Sequence, residues 1–265
     1  MMLPKWILLT LVVAHVFAAC VKRVNQESDV DGFVTVHDDP PTDEWEQEQP
    51  LPAPSETVSG RRPRKNDLVI ASGTKLTVEV VHVVDGDTVT VSTHTKPVRV
   101  FKVRLAGINA PECHKERRRT SHKVSAACVS DDEGHGLAAY SFLKKKLSAA
   151  KLVEMTCKTL PHSSICEKDR YGRLLATLWG DGEDVNRKMV EEGMAMAFTK
   201  YPHEERASYC KAEFDARRAR RGMWALAPTV DQVLALMSQK TRQWYRQHDD
   251  LCQSAIRAED GKKGK

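Results

Sequence analysis

Asp87, Arg104, Glu112 and Arg173 are the side chains of this sequence whose chemistry says most. Asp87 sits in the run Val84-Asp85-Gly86-Asp87-Thr88. Arg104 and Glu112 bracket Arg104-Leu105-Ala106-Gly107-Ile108-Asn109-Ala110-Pro111-Glu112. Arg173 ends Asp169-Arg170-Tyr171-Gly172-Arg173. Two carboxylates and two guanidiniums suit the hydrolysis of a phosphodiester around one hard cation. One carboxylate holds the cation and the other takes a proton from water. The guanidinium forks neutralise phosphoryl oxygens as charge builds on them. Arg104 closes an apolar strand, where a charge aimed into a barrel mouth is costly without a partner, which favours a working role. Surface ion pairing is the plainer reading of either arginine alone.

Elements must bring these residues together. Leu76 to Val84, Thr88 to Ser92 and Val98 to Leu105 read as strands, the first two joined by the Asp-Gly turn. Pro111 breaks the pattern after the third. Gly136 to Ala149 reads as a helix with Leu137, Tyr140, Leu143 and Leu147 on one stripe. Leu152 to Cys157 and Leu174 to Trp179 are further strands. Val185 to Glu192 and Glu204 to Arg221 are further helices, closed by Gly193 and Gly222. Five strands and three helices, with the first helix between strands three and four, predict an α+β fold built on a five-stranded OB-like barrel. Cys113 to Glu133 reads as a long loop beside the site. Its Lys115 and Arg117 to Arg119 could contact backbone phosphates. Beyond Trp224, Thr229-Val230-Asp231-Gln232 is a capping box. It opens one extra helix, with Val230, Val233, Leu234, Met237, Thr241 and Trp244 on an apolar stripe that packs on its own domain.

The blocks around Asp87, Arg104 to Glu112, and Tyr171 to Arg173 resemble, in order and internal spacing, the staphylococcal nuclease family. The resemblance covers roughly Lys75 to Trp224. It implies an OB-fold nuclease that cleaves DNA and RNA with little sequence specificity. Water would attack in line with the 5′-oxygen, leaving 3′-phosphates. It implies Ca²⁺, or another divalent cation, held by Asp87, Asn109 and the carbonyl of Ala110. Asn109 departs from the family, which usually has an aspartate there, and fewer ligand charges weaken calcium binding. By the same resemblance Arg104 and Arg173 grip the phosphate. Glu112 acts as general base, or else positions the water or the arginine pair. Arg170 and Tyr171 touch a nucleotide phosphate, and Phe198 and Tyr201 line the base pocket. Stacking tolerates any base, so single-stranded or frayed substrate is expected. Asp85 reads instead as a turn former. The competing reading is a catalytically silent OB-like module that binds nucleic acid or protein. Retention of Asp87, Arg104, Glu112 and Arg173 favours the enzyme.

The rest of the chain bears on location. The net charge of +5 over 265 residues is mildly basic, not histone-like. The basic run at Lys144 to Lys146 reads as a solvated helix face, and Arg217 to Arg221 sits late on a predicted helix, where cations also suit the dipole. Residues 1–20 read as an export signal: Lys5, an apolar run from Trp6 to Ala19 too short to span a bilayer comfortably, then Cys20. Phe17-Ala18-Ala19-Cys20 resembles a lipoprotein cleavage box, so lipidation and simple cleavage are both open. A lipid anchor would be the protein's only membrane contact. Residues 21–70 are an acidic, proline-rich linker with too little apolar surface to fold. Residues 71–226 form the nuclease-like domain and 227–265 the C-terminal helix and basic tail. There are seven cysteines. With Cys20 set aside, Cys113, Cys128, Cys157, Cys166, Cys210 and Cys252 make an even number, as disulfides in an exported protein require. Cys157 with Cys166 is the favoured pair. Cys113 with Cys128 would staple the loop after Glu112, and Cys210 could instead be a small buried hydrophobe. A zinc site at Cys113-His114 is disfavoured by the absence of a Cys-x-x-Cys pair. The expected location is the bacterial cell envelope, lipid-anchored or periplasmic, or the medium.

Overall fold

The structure is a computed structural model. It describes residues 67–263 except 72, 95, 121–122, 160–163, 202 and 228, and leaves the side chains of 117–126, 240 and 263 undescribed. The signal, Cys20 and nearly all of the linker therefore lie outside the described residues, as do the side chains of Arg117 to Arg119. In chain order the strands are β1 (Leu76–Val83), β2 (Thr88–Thr93), β3 (Val100–Leu105), β4 (Ile108–Asn109), β5 (Cys113–Thr120) and β6 (Lys123–Asp131). They continue with β7 (Val153–Cys157), β8 (Leu174–Gly180), β9 (Glu183–Asp184) and β10 (Met196–Ala197). The helices are α1 (Gly136–Ala149), α2 (Val185–Glu191), α3 (Arg206–Arg218), α4 (Met223–Leu226), α5 (Val230–Ala235), α6 (Gln239–Trp244) and α7 (His248–Lys263).

Alternating burial builds the barrel. Val153, Met155 and Cys157 of β7 and Leu174, Ala176 and Leu178 of β8 turn inward, with half-buried residues between them. Antiparallel ladders join β3 to β2, β2 to β1, β1 to β7 and β7 to β8. A parallel ladder between β3 and β8 then closes the ring of five strands, Val103 facing Leu174 and Leu105 facing Ala176. The OB-like barrel read from the sequence is present, with α1 inserted between its third and fourth strands. Closure leaves no free edge in the ring. Residues before β1 also pair with the domain: Val69 bridges Ile165, and the Cys166 amide donates to the Leu68 carbonyl.

Three expectations change. Cys113 to Glu133 is not a loop. It is the β5–β6 hairpin, Cys113 opposite Asp131 and Thr120 opposite Lys123. A run of charged residues hides the alternation there, and the Cys113–Cys128 disulfide holds the base of the hairpin. The single C-terminal helix is three helices. The capping box at Thr229 and Gln232 is present and starts α5, but Ser238 then caps α6 through the Thr241 amide, and Gln247 turns left-handed (φ 60°) before α7. Third, Arg104 does not point into a barrel mouth. Val103 and Leu105 take the inward face of β3, so Arg104 lies on the outer wall.

The favoured Cys157–Cys166 pair is formed, its Cα atoms 5.6 Å apart. Cys210 is not a lone buried thiol: it pairs with Cys252 and staples α3 to α7. Beside this staple, buried Glu213 accepts hydrogen bonds from the Ala197 amide (2.7 Å) and from Arg217, and pairs with His248 Nε2 (2.9 Å). Arg217 also reaches Asp249 at 2.7 Å, so Glu213, His248 and Asp249 form a filled ion-pair network and not a cation site. Burial would raise the Glu213 carboxyl, but His248, Arg217 and the Ala197 amide outweigh it and hold it at about 2. A depressed carboxyl lends stability above its unfolded value of 4.5, which is lost as pH falls towards 2. Glu213→Gln should therefore lower stability at neutral pH by about 3 kcal/mol or more. The gap between the two melting curves should close through that acid range. A gap independent of pH would mean that Glu213 is not ionised in the fold.

Candidate active site

The Asp-Gly-Asp turn between β1 and β2 is the first wall of the site. Asp85 Oδ1 accepts the Asp87 amide at 3.1 Å, so the turn-former reading of Asp85 holds. A Cβ at Gly86 would lie 2.6 Å from the Ala110 Cβ and 2.8 Å from the Ala139 Cβ. Only glycine lets this turn rest against the segment after β4. There the Ala110 amide donates to Asp87 Oδ2 at 3.0 Å, leaving the carbonyl as that residue's remaining polar group.

Sheet register places the second wall. Thr88 on β2 faces Arg104 on β3. The Arg104 Nη2 lies 2.9 Å from Asp87 Oδ2 and donates to Asn109 Oδ1 at 2.9 Å. Its Nη1 donates to the carbonyls of Leu105 and Ile108, each at 2.9 Å, which fixes the fork. Arg173, immediately before β8, donates from Nη1 to the Thr88 hydroxyl at 3.1 Å, and that hydroxyl donates to Asp87 Oδ1 at 3.0 Å. Asp169 Oδ2 accepts from Arg173 Nε at 2.7 Å and steadies it. Asp87, Arg104, Asn109, Ala110 and Arg173 thus share one bonded network.

Glu112 joins through Lys115. The ammonium lies 2.7 Å from Asp85 Oδ2 and 3.6 Å from Glu112 Oε2. The Glu112 side chain is 57% exposed, so its carboxylate meets solvent at the rim. Its backbone is held firmly. The amide donates to Glu133 Oε2 (3.1 Å), and the carbonyl accepts from the amides of Asp132 (3.3 Å) and Glu133 (2.9 Å). A Cβ on Gly136 would stand 2.0 Å from that carbonyl oxygen, so the first residue of α1 has to be glycine.

The electrostatics follow burial. Burial raises Asp87 to about 7 despite the opposing charge of Arg104, with Asp85 and Glu112 adding to the rise. The surrounding protein, which partly desolvates it although the carboxylate reaches solvent, and then the charge of Asp85 also push Glu112 up. Burial would raise Asp85, but the charge and hydrogen bond of Lys115 outweigh it and the net shift is downward. Burial would lower Lys115, and Asp85, Glu112 and Asp87 together raise it. The oxygens gathered here are carboxylate, amide and carbonyl, donor types that suit a hard divalent ion.

The residues expected to touch nucleotide divide. Arg170 and Tyr171 project from the turn before Arg173, whose guanidinium and that of Arg170 lie 5.4 and 4.7 Å from the Tyr171 ring centroid. Tyr171 is exposed beside the network. Phe198 and Tyr201 belong to a second, aromatic cluster. Phe198 is half-buried against Tyr201, Trp244 and Tyr245, at centroid distances of 5.9, 5.6 and 6.3 Å. Tyr201 stays exposed. Sequence reasoning missed Thr88, Asp169 and Glu133, and undervalued Asp85 and Lys115. The i, i+4 spacing of Asp169 and Arg173 was a visible signal. Glu133 offered none, because the hairpin that returns it to Glu112 was read as a loop.

Gly136→Ala should push the Glu112 turn outward, lowering turnover at least tenfold and weakening thermal stability. Unchanged turnover and melting would show that the turn tolerates the side chain.

This chain is similar to known proteins. Residues 102–226 match the family described as staphylococcal nuclease homologue. An uncharacterized endonuclease of Haemophilus influenzae is 33% identical over 158 residues, covering 60% of this chain and 71% of the relative. The micrococcal nuclease of Shigella flexneri is 31% identical over 156 residues, covering 56% and 72%. The thermonuclease of Staphylococcus hyicus is 28% identical over 159 residues, covering 59% and 80%. With the barrel, the matched domain and these relatives in hand, the chain belongs to the staphylococcal nuclease family and is a nuclease.

Proposed function

We propose that this nuclease is an exported, cation-dependent endonuclease of the micrococcal type, which hydrolyses DNA and RNA with little base preference. The observation that carries the reading is the bonded network itself: two fixed guanidinium forks flank a buried carboxylate, with a rim carboxylate free to meet water. Arg104 and Arg173 clamp the scissile phosphate and stabilise its oxygens as charge develops. Glu112 takes the proton of the attacking water. The upward shift of its pKa suits that role, since a base works best when its pKa lies near the working pH. The 5′-oxygen leaves and the 3′-phosphate stays.

Asp87, Asp85, Asn109 and the Ala110 carbonyl would hold Ca²⁺ or another hard divalent cation, with Lys115 moving aside. When bound, the cation would supply positive charge to the phosphoryl oxygens. Asn109 brings no charge, so the affinity would be modest. Tyr171 and Arg170 would meet the neighbouring phosphate, and exposed Tyr201 would stack on a base beside Phe198.

Export rests on the N-terminal segment and gains support from the cysteines. All three disulfides, Cys113–Cys128, Cys157–Cys166 and Cys210–Cys252, suit an oxidising compartment. We place the enzyme in the cell envelope or the medium.

The test is an assay on single-stranded DNA and RNA with Ca²⁺, a panel of other divalent ions, and chelator. Cleavage should need a divalent ion and stop with chelator; binding without cleavage in every ion would favour the silent module. Glu112→Ala should lower turnover roughly 10²- to 10⁴-fold with substrate binding retained. Unchanged turnover would remove Glu112 from the mechanism.

A further inference from the structure

The segment after α4 lies outside the 102–226 stretch matched by the family, yet it reaches the site at two points. The first is Glu133, which is buried. Its Oε2 holds the Glu112 amide, while its Oε1 accepts from the Ser238 amide (2.7 Å) and the Thr241 hydroxyl (3.1 Å). One carboxylate ties the Glu112 turn to the start of α6.

The second is Tyr245. It is 2% exposed, with its ring packed on Phe198 and on His248. Its hydroxyl lies beside the Asn109 amide and within the fields of Glu213, Arg104 and Asp87. Yet it makes no hydrogen bond of good geometry, which is costly for a buried phenol. Asn109 has a matching need. A carboxylate at this position presents oxygen at both ends, but an amide presents oxygen at one end and two N–H donors at the other. Its oxygen faces Arg104. Its nitrogen is thereby turned away from Arg104 and can donate, and the phenol oxygen is a group beside it.

We propose that Tyr245 is a positioning residue of this active site: its hydroxyl oxygen takes a hydrogen bond from the Asn109 side-chain nitrogen and keeps the amide oxygen turned towards Arg104 and the cation. Asn109 and Tyr245 are a matched pair, doing together what an aspartate does alone. Tyr245 acts through Asn109 and not on substrate. The cation half of this statement rests on the metal reading above; the amide half does not.

The experiment uses the full chain carrying Tyr245→Phe, Asn109→Asp or both, each checked for folding by its melting curve. In metal-free protein the side-chain ¹⁵N–¹H pair of Asn109, identified by its loss in Asn109→Asp, should shift in Tyr245→Phe. An unmoved pair overturns the proposal. In calorimetric titration with Ca²⁺, Tyr245→Phe should weaken binding about five- to tenfold in the parent. It should change the Asn109→Asp background, itself tighter than the parent, by less than about twofold. Equal losses in both backgrounds, or none in the parent, overturn the role. A parent that binds no divalent ion but shows the amide shift overturns the metal reading and upholds the Tyr245–Asn109 pair.

Discussion

The ion pair between Asp87 and Arg104 is the constraint on which the rest of the site depends. Neither group is comfortable alone. Burial pushes the Asp87 carboxyl up, and the Arg104 side chain is only 13% exposed. Each offsets the desolvation of the other, and each also hydrogen-bonds further members of the network. Asp87 collects the Ala110 amide and the Thr88 hydroxyl; Arg104 collects Asn109 and two carbonyls. Through Thr88 the pair reaches Arg173. A site organised around such a pair is rigid before any ligand arrives, which is what electrostatic catalysis asks of it.

The barrel exists, from this viewpoint, to set one register. Thr88 must face Arg104, and Leu175 must face Arg104 from the other side, so that residues from three strands meet. The parallel closure of β3 on β8 achieves this across a gap of about seventy residues, where no local turn could. Two glycines then allow backbone to approach backbone: Gly86 under Ala110, and Gly136 under Glu112.

Much of this was legible in the sequence because period-two and period-3.6 patterns mark barrel strands and helices directly, and because the Asp87, Arg104 to Glu112 and Arg173 blocks carry the family's spacing. What stayed hidden shares a physical cause. The β5–β6 hairpin is built from charged residues and pinned by Cys113–Cys128, so hydrophobic periodicity does not announce it. The break of the C-terminal stripe into α5, α6 and α7 is decided by local caps at Ser238 and a left-handed Gln247. Glu133 and Tyr245 reach the site only through those two features. Asp85 was half legible: its turn role is local, whereas its pairing with Lys115 needs the hairpin to fold back.

The shared carboxylate of Glu133 has a consequence for timing. Ser238 and Thr241 leave the ribosome after every strand of the barrel, so the turn carrying Glu112 is anchored on both sides only once that late segment has been made and has settled into place. Chain order thereby sets a sequence of events: the scaffold first, competence last.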